Sequence, residues 1–137
     1  MMQLVPYLRF NGNCREAMNF YKDCLSAEIK LQTVGESPMA AQMPLESHNN
    51  ILHSSLMKDN ITILFASDMT DPEGIKSGND FSLCITCSQD EIKELFSKFS
   101  VGSKVTQELK EEFFGTYGEL TDKFGMSWMF QANKPQA

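Results

Sequence analysis

Apolar and polar positions follow one order twice along the chain. Alternation over residues 4–10 predicts a strand. One side of this strand carries Leu4, Leu8 and Phe10, and the other side carries Val5, Tyr7 and Arg9. Apolar side chains then recur at helical spacing at Ala17, Phe20, Tyr21 and Cys24, which is typical of an amphipathic helix. Three strand-like stretches follow, at residues 28–34, 51–57 and 61–67.

The second half repeats this order. Phe81, Leu83 and Ile85 alternate along a predicted strand, and Ile92, Leu95, Phe96 and Phe99 form a helical stripe. Strand candidates follow at residues 105–109, 113–120 and 127–131. The pattern βαβββ therefore occurs twice, which predicts an α+β fold. One helix and a small sheet bury an apolar face poorly alone. We therefore expect a single domain, 1–137, of two packed modules at approximately 1–70 and 78–134, joined by a polar linker at 71–79.

Local signals indicate where the helices begin and one turn lies. Asn13 is predicted to cap the first helix, with Glu16 reaching back to it. Ser88 and Glu91 form a full capping box before the second helix. Asp59 and Asn60 supply a tight turn between two strands.

Composition excludes several classes of function. The formal net charge of −6 and the scattered basic residues argue against nucleic-acid or anionic-membrane partners. The N-terminal residues lack the pattern of a signal peptide, and no apolar stretch approaches a membrane span. We therefore expect a cytoplasmic, soluble protein with four reduced cysteines. No cofactor is predicted, because the turn before Asn13 contains only Gly12 and a nucleotide would need a Gly-rich turn.

Three segments carry a family resemblance. They are residues 7–21 (YLRFNGNCREAMNFY), residues 51–56 (ILHSSL) and residues 121–129 (TDKFGMSWM). In this order they resemble the opening strand and helix, the His-bearing third strand and the terminal hairpin of the PhnB-like branch of the vicinal oxygen chelate superfamily (glyoxalases, bleomycin-resistance proteins and dioxygenases).

The resemblance implies curled mixed sheets around a cup-shaped pocket, with the helices on the outer side, and a homodimer. Modules would pair within a chain or swap between chains, and the sequence does not distinguish the two. Metal-dependent members of the superfamily take ligands from the first and fourth strands of each module. The matching positions here are Val5, residues 61–67, Phe81 or Asp80, and Met129. At most one of these can ligate, so a bound metal is not expected.

Strand alternation selects the candidate ligand-binding residues. The predicted cup-facing side chains are Tyr7, Arg9, His53, Met129 and Gln131, and Glu119, near the second module's hairpin, is a further candidate. His53 is expected to point with Ile51 and Ser55, opposite Leu52 and Leu56. Arg9 on a buried face would need an anionic partner, for which Glu119 is a candidate. Trp128 should face the helix as core.

Three cysteines and one long loop are further candidate features. The helix dipole should favour the thiolate of Cys14, although packing at the sheet end is the simpler interpretation. Cys84 and Cys87, three apart on a strand, point to opposite faces and do not predict a redox or zinc site. The long loop at 35–50 contains Met39 and Met43 and is a candidate lid, and its His48 is expected to be solvated.

Three functions are consistent with these patterns. The leading hypothesis is a small-molecule-binding protein with no required metal and an unknown ligand. The alternatives are a metal-dependent enzyme related to glyoxalases or dioxygenases, and a dimeric drug-sequestering resistance protein.

Overall fold

The computed structural model describes residues 1–69 and 71–134. Contacts divide the chain into two compact units, Met1–Lys76 and a unit that begins at Ser77. This boundary lies inside the predicted linker at 71–79, while Thr70, at the end of the predicted first module, lies outside the described residues. We refer to the units as the first and second modules.

Each module has one strand, one helix and three further strands. The elements of the first module are β1 (Tyr7–Arg9), α1 (Cys14–Leu25), β2 (Glu28–Thr33), β3 (Ile51–Lys58) and β4 (Ile61–Ser67). Those of the second are β5 (Leu83–Thr86), α2 (Ile92–Ser100), β6 (Lys104–Glu112), β7 (Gly115–Thr121) and β8 (Ser127–Asn133). The predicted α+β class with two βαβββ modules is confirmed.

Each module contains a four-stranded mixed sheet, ordered β1-β4-β3-β2 in the first and β5-β8-β7-β6 in the second. The pairs β1–β4 and β5–β8 are parallel, and the other pairs are antiparallel. Helix α1 packs on the first sheet and α2 on the second. Within the described residues, the opposite face of each sheet carries no α-helix of its own module. We call that side the open face.

Helix α1 buries an apolar stripe against its sheet. The buried residues are Cys14, Ala17, Met18, Tyr21 and Cys24, while the predicted Phe20 is half-buried. Leu56, Leu64 and Ala66 from β3 and β4 complete this core. The predicted stripe is thus largely confirmed, because a period of 3.6 residues places these side chains on one side of a helix.

Strand β1 is shorter than its sequence pattern. It spans only Tyr7–Arg9, so Leu8 and Phe10 are buried whereas Leu4 is 97% exposed. The predicted strand over residues 4–10 is therefore too long, and Leu4 does not share the buried side of Leu8 and Phe10, because β4 pairs with β1 at only three positions.

Helix α1 is capped by a distant carboxylate rather than by Asn13. Asn13 makes no side-chain capping hydrogen bond, so the predicted capping box is wrong. Asp68, directly after β4, accepts hydrogen bonds through Oδ1 from the amides of Gly12 at 2.8 Å and Cys14 at 3.0 Å. Its Oδ2 accepts the amide of Ile51 at 2.8 Å. One buried carboxylate therefore joins the start of α1 to the start of β3.

Strand β3 contains a bulge that changes which side chains reach the core. Gln32 pairs with His53 but Thr33 pairs with Ile51, so Leu52 is the extra residue. As a result Ile51 is fully buried and Leu52 is half-buried. The predicted placement of Ile51 beside His53 is therefore wrong.

Two predicted tight features are confirmed. Asp59 and Asn60 have φ values of 53° and 65°, as a two-residue turn of the primed type requires. In the second module, Ser88 and Glu91 form the capping box, with Ser88 Oγ donating to Glu91 Oε1 at 2.8 Å and the amide of Glu91 donating to Ser88 Oγ at 3.2 Å.

Helix α2 anchors an aromatic core. Ile92, Phe96 and Phe99 are buried, and the ring of Phe99 lies 4.6 Å from Trp128 between centroids. Trp128 donates from Nε1 to Asp122 Oδ2 at 2.8 Å. The predicted position of Trp128 under the helix is confirmed.

The loop between β2 and β3 is folded by its own hydrogen bonds. It contains two 3₁₀ helices, Ala40–Gln42 and Leu45–Ser47. His48 Nε2 lies 2.9 Å from the carbonyl oxygen of Ala40 and 3.2 Å from that of Met43, and the residue is half-buried. The expectation that His48 is solvated is therefore wrong. A lid role for Met39 and Met43 stays a prediction.

Within the described residues, neither helix has the length and apolar content that crossing a membrane requires.

Candidate functional site

The open face of the first module carries three of the predicted site residues. Cross-strand pairs share a face, and Tyr7 pairs with Phe65, Phe65 with Ser55, and Ser55 with Lys30. Arg9 lies two residues beyond Tyr7, and His53 two residues before Ser55, so strand alternation places both on this face. The structure thus brings Tyr7, Arg9 and His53 to one surface.

Three rings on this surface form a cluster that remains open to solvent. His53 lies 5.2 Å from Phe65 and 6.3 Å from Tyr7 between ring centroids, and Tyr7 lies 6.2 Å from Phe65. Tyr7 is 47% exposed, His53 is exposed and Phe65 is half-buried. Contact between exposed aromatic surface and water is unfavourable in free energy, and such surface is typical of binding sites.

Basic side chains flank the rings. Arg9 and Lys30 are both exposed on the open face. The expected burial of Arg9 is therefore wrong, and the need for a protein carboxylate no longer follows. Its ion pair with Glu119 stays a prediction. An exposed guanidinium beside aromatic rings suits recognition of a carboxylate or another planar anion.

The open face of the second module carries the other three predicted residues. Cys84 pairs with Met129, Met129 with Glu119, and Glu119 with Gln107. Gln131 pairs with Thr86 on one side and with Tyr117 on the other. Glu119, Met129 and Gln131 are half-buried on this single surface.

Tyr117 was not among the residues selected from the sequence. Burial raises its pKa to about 12, and the hydrogen bond that it donates to Glu119 adds to the shift. Gly115 and Gly118 lie on either side of Tyr117 in the sequence, and they weaken the alternation of apolar and polar residues that predicts a strand. Alternation with the buried Gly118 and Leu120 is the signal that could have revealed it.

The two open faces correspond position by position. Gln32 pairs with His53 in the first module, as Lys110 pairs with Tyr117 in the second. By the same register Ser55 is the equivalent of Glu119. The other equivalent positions of the two modules are Phe65 and Met129, Tyr7 and Cys84, and Arg9 and Thr86. The first face therefore groups three aromatic rings with Arg9 and Lys30, whereas the second combines Tyr117 and Glu119 with Lys104 and Lys110.

Cys14 is a buried structural thiol. Burial and the nearby Asp68 carboxylate raise its pKa to about 11, although a contact of 3.6 Å with Ser54 Oγ opposes the shift. The expectation that the helix dipole favours its thiolate is wrong, because burial deprives the thiolate of solvent and Asp68 places a negative charge at the same helix end. All four cysteines lie within the described residues, and none is in a disulfide.

The described residues do not offer a metal site. In residues 1–69 and 71–134, no three His, Cys, Asp or Glu side chains converge on one point. Val5, Phe81 and Met129 stand at positions where the superfamily resemblance predicts ligands, and none of these side chains is a ligand for a hard divalent cation. The donor set therefore does not fit a resident metal.

A polar cavity of about 420 Å³ lies at the start of α1. Its lining residues are Gly12, Asn13, Arg15, Glu16, Asn49, Asn50 and Asp68. Asp68 already accepts the helix-terminal amides, so this end of the helix offers little to a further anion.

Comparison with known proteins gives a consistent result. A family model described as 3-demethylubiquinone-9 3-methyltransferase matches residues 2–131. Protein YjdN of Escherichia coli is 32% identical over 98% of both chains.

Solved structures agree with this match. Protein PA1353 of Pseudomonas aeruginosa is 30% identical, with a TM-score of 0.84 over 98% of this chain and all of that one. A PhnB protein from Bacillus cereus, described as a putative 3-demethylubiquinone-9 3-methyltransferase, is 22% identical, with a TM-score of 0.74 over 96% and 99% of the two chains. The fosfomycin resistance protein FosX of Listeria monocytogenes shares the fold at 8% identity, with a TM-score of 0.67 over 98% and 94%.

Proposed function

The chain belongs to the PhnB-like family of the vicinal oxygen chelate superfamily, and from this premise we propose that it binds a small anionic molecule with an aromatic or unsaturated body. The ligand would lie on the open face of the first module. The protein would require no resident metal.

The observation that carries this proposal is the exposed ring cluster of Tyr7, His53 and Phe65. The rings lie 5.2–6.3 Å apart at mutual tilts of 36–42°, which leaves their faces and edges accessible to a flat ligand. Aromatic contacts favour offset or tilted partners at such distances. Tyr7 and His53 are the two aromatic residues among the six that the sequence predicts to bind ligand.

Charge on the same face supports an anionic ligand. Arg9 and Lys30 are exposed there, although the formal charge of the whole chain is −6. Glu28, which pairs with Met57, is the acidic side chain of this face and lies two residues from Lys30. Hydrogen bonds from Arg or protonated His to a carboxylate are among the stronger ones in proteins.

The family description names a methyltransferase, and we do not propose that activity for this chain. A nucleotide-type cofactor would need a Gly-rich turn before a helix, and the turn before α1 contains only Gly12. A metal-dependent reaction is likewise not proposed, because the described residues hold no converging set of ligands.

Two further properties belong to the proposal. We propose a homodimer, as the superfamily resemblance implies, which light scattering at micromolar concentration would report as about twice the chain mass of 15.5 kDa. A monomer at that concentration would contradict it. We also propose a cytoplasmic location, which is consistent with cysteines that form no disulfide.

The proposal is tested with benzoate as the probe and benzyl alcohol as its neutral counterpart. In ¹⁵N NMR titrations, benzoate should shift the amides of Gln32, His53 and Ser55, and benzyl alcohol should bind more weakly. His53→Ala should weaken benzoate binding by roughly 1–3 kcal/mol if the imidazole hydrogen-bonds the carboxylate. Its melting temperature should change little, because His53 is exposed.

Phe113→Ala is the matched control, since Phe113 is an aromatic residue at the β6–β7 turn and is 91% exposed. It should leave benzoate binding unchanged. The proposal is rejected if neither probe shifts the amides of this face. If benzoate and benzyl alcohol bind there equally, the face binds ligand but the anionic class is wrong.

A further inference from the structure

The open face of the second module has a different chemistry from that of the first. Where the first module has His53, the second has Tyr117, and where the first has Ser55, the second has Glu119. We propose that this second face is a separate subsite that binds a hydrogen-bond donor of positive charge, an ammonium group. This proposal rests on its own residues and does not require that the first face bind an anion.

Three acceptor groups meet on this face. Tyr117 donates its hydroxyl hydrogen to Glu119, which leaves the phenol oxygen as an acceptor. The carboxylate of Glu119 has about four lone-pair sites, of which this bond uses one. Gln131 Nε2 donates to Asn133 Oδ1 at 2.8 Å, so the amide nitrogen is engaged along its own strand and the carbonyl oxygen is left to accept.

These groups are neighbours through the sheet register. Tyr117 on β7 pairs directly with Gln131 on β8, and Glu119 lies two residues along the same face of β7. All three side chains are half-buried, so each is partly shielded from water while it still reaches the surface. Partial burial strengthens a hydrogen bond between a carboxylate and a cation relative to the same bond in full solvent.

The other groups on the face are compatible with a cation. Cys84, Thr86, Gln107 and Met129 are uncharged at neutral pH. Two basic residues share the face: Lys110, which pairs with Tyr117 and whose Nζ lies 3.5 Å from Glu112 Oε1, and Lys104, which pairs with Thr121. The charge of Lys110 is partly compensated by Glu112, the side chain of Lys104 is exposed at the end of β6, and Glu119 supplies a half-buried carboxylate between them.

The test uses benzylamine as the probe on the full chain, with benzyl alcohol and benzoate as the neutral and anionic counterparts of similar shape. In ¹⁵N NMR titrations near pH 7, benzylamine should shift the amides of Thr86, Tyr117 and Gln131. Benzyl alcohol and benzoate should bind to this face about tenfold more weakly, because they lack the charge that Glu119 recognises.

Two substitutions measure separately what the Glu119 carboxylate and the Tyr117 hydroxyl contribute to benzylamine binding. Glu119→Gln should weaken benzylamine binding about tenfold or more, and Tyr117→Phe should weaken it several-fold, through loss of one acceptor. Glu94→Gln is the control, because this substitution removes the same charge from helix α2, which packs on the opposite side of this sheet. It should leave the affinity unchanged.

The amide spectrum of each variant also reports whether it is folded. The proposal is overturned if benzylamine shifts no amide of the second face, if Glu119→Gln binds it as well as the unaltered protein, or if Glu94→Gln weakens it equally. Benzoate binding on the first face is read in the same spectra, so failure of one proposal does not obscure the other.

Discussion

The carboxylate of Asp68 accepts the backbone amide of Cys14 at 3.0 Å, although the two residues are 54 positions apart in the chain. The contact is buried, and the same carboxylate accepts two further amides, those of Gly12 and Ile51. The end of β4 therefore supplies the cap that the sequence around Asn13 does not.

Asp68→Ala should destabilise the chain strongly. Three buried or partly buried amides lose their acceptor, which we expect to cost about 2–4 kcal/mol in free energy of unfolding. Asn13→Ala should cost less than about 0.5 kcal/mol, since Asn13 makes no capping hydrogen bond. Urea denaturation of both variants measures the difference. Equal losses would contradict the role of Asp68.

The thiols should react in order of exposure and pKa. Cys84 is exposed and should react first with a disulfide reagent at pH 8. Cys87 should react more slowly, because burial and the nearby Glu91 raise its pKa. Cys14, with a pKa of about 11, is almost entirely protonated at pH 8 and should react only after unfolding. Modification of Cys14 at the rate of Cys84 would contradict the structure.

Cys14 should also make stability fall at high pH. Its folded pKa of about 11 is above the ordinary value of 9.0 for a cysteine thiol, so the folded state holds the proton more tightly than the unfolded state. This contribution is complete below pH 9 and is lost as the pH rises from 9 through 11. Urea midpoints at pH 8 and pH 10.5 measure it. In Cys14→Ala that part of the decline should disappear, whereas Cys84→Ala should retain it.

Gly115→Ala should prevent normal packing at the β7–β8 pair. A Cβ at this position would lie 2.0 Å from the carbonyl oxygen of Ala132, and φ is +147°. We expect a loss of more than about 3 kcal/mol in free energy of unfolding. Gly125→Ala is the comparison, because its φ is +90° with nothing within 4 Å of the added Cβ. It should lose only the backbone strain, about 1–2 kcal/mol.

Protein purified without chelator should contain well below one equivalent of zinc, nickel, manganese or iron. The reason is chemical, since Val5, Phe81 and Met129 stand where the superfamily resemblance predicts ligands, and no three His, Cys, Asp or Glu side chains of the described residues converge. Elemental analysis measures the content. Stoichiometric metal that is lost together with an activity would contradict the prediction.

Signals that act within a few residues were readable in the sequence, and those that depend on distant partners were not. The Ser88–Glu91 capping box and the Asp59–Asn60 turn formed as predicted, because both are closed within four residues. Asn13 makes no capping hydrogen bond, and Asp68, far away in the chain, instead accepts the amides of Gly12 and Cys14 at this helix end.

The candidate site shows the same division. Strand alternation placed Tyr7, Arg9 and His53 on one face correctly, since period 2 is a local property. The bulge at Leu52 and the early end of β1 depend on which strands pair, so the positions of Ile51 and Leu4 could not be deduced. Tyr117 was missed because the glycines beside it weaken the apolar pattern of β7.

In β3 and β4 the open-face residues His53, Ser55 and Phe65 alternate with the core residues Ser54, Leu56, Leu64 and Ala66. Selection for a new ligand and selection for folding therefore act on different positions of the same strands. A relative could change specificity through a few outward-facing substitutions while it keeps every core contact. This separation makes the sheet readily evolvable, and it makes a randomised library at His53, Ser55 and Phe65 a sound starting point for engineered binders.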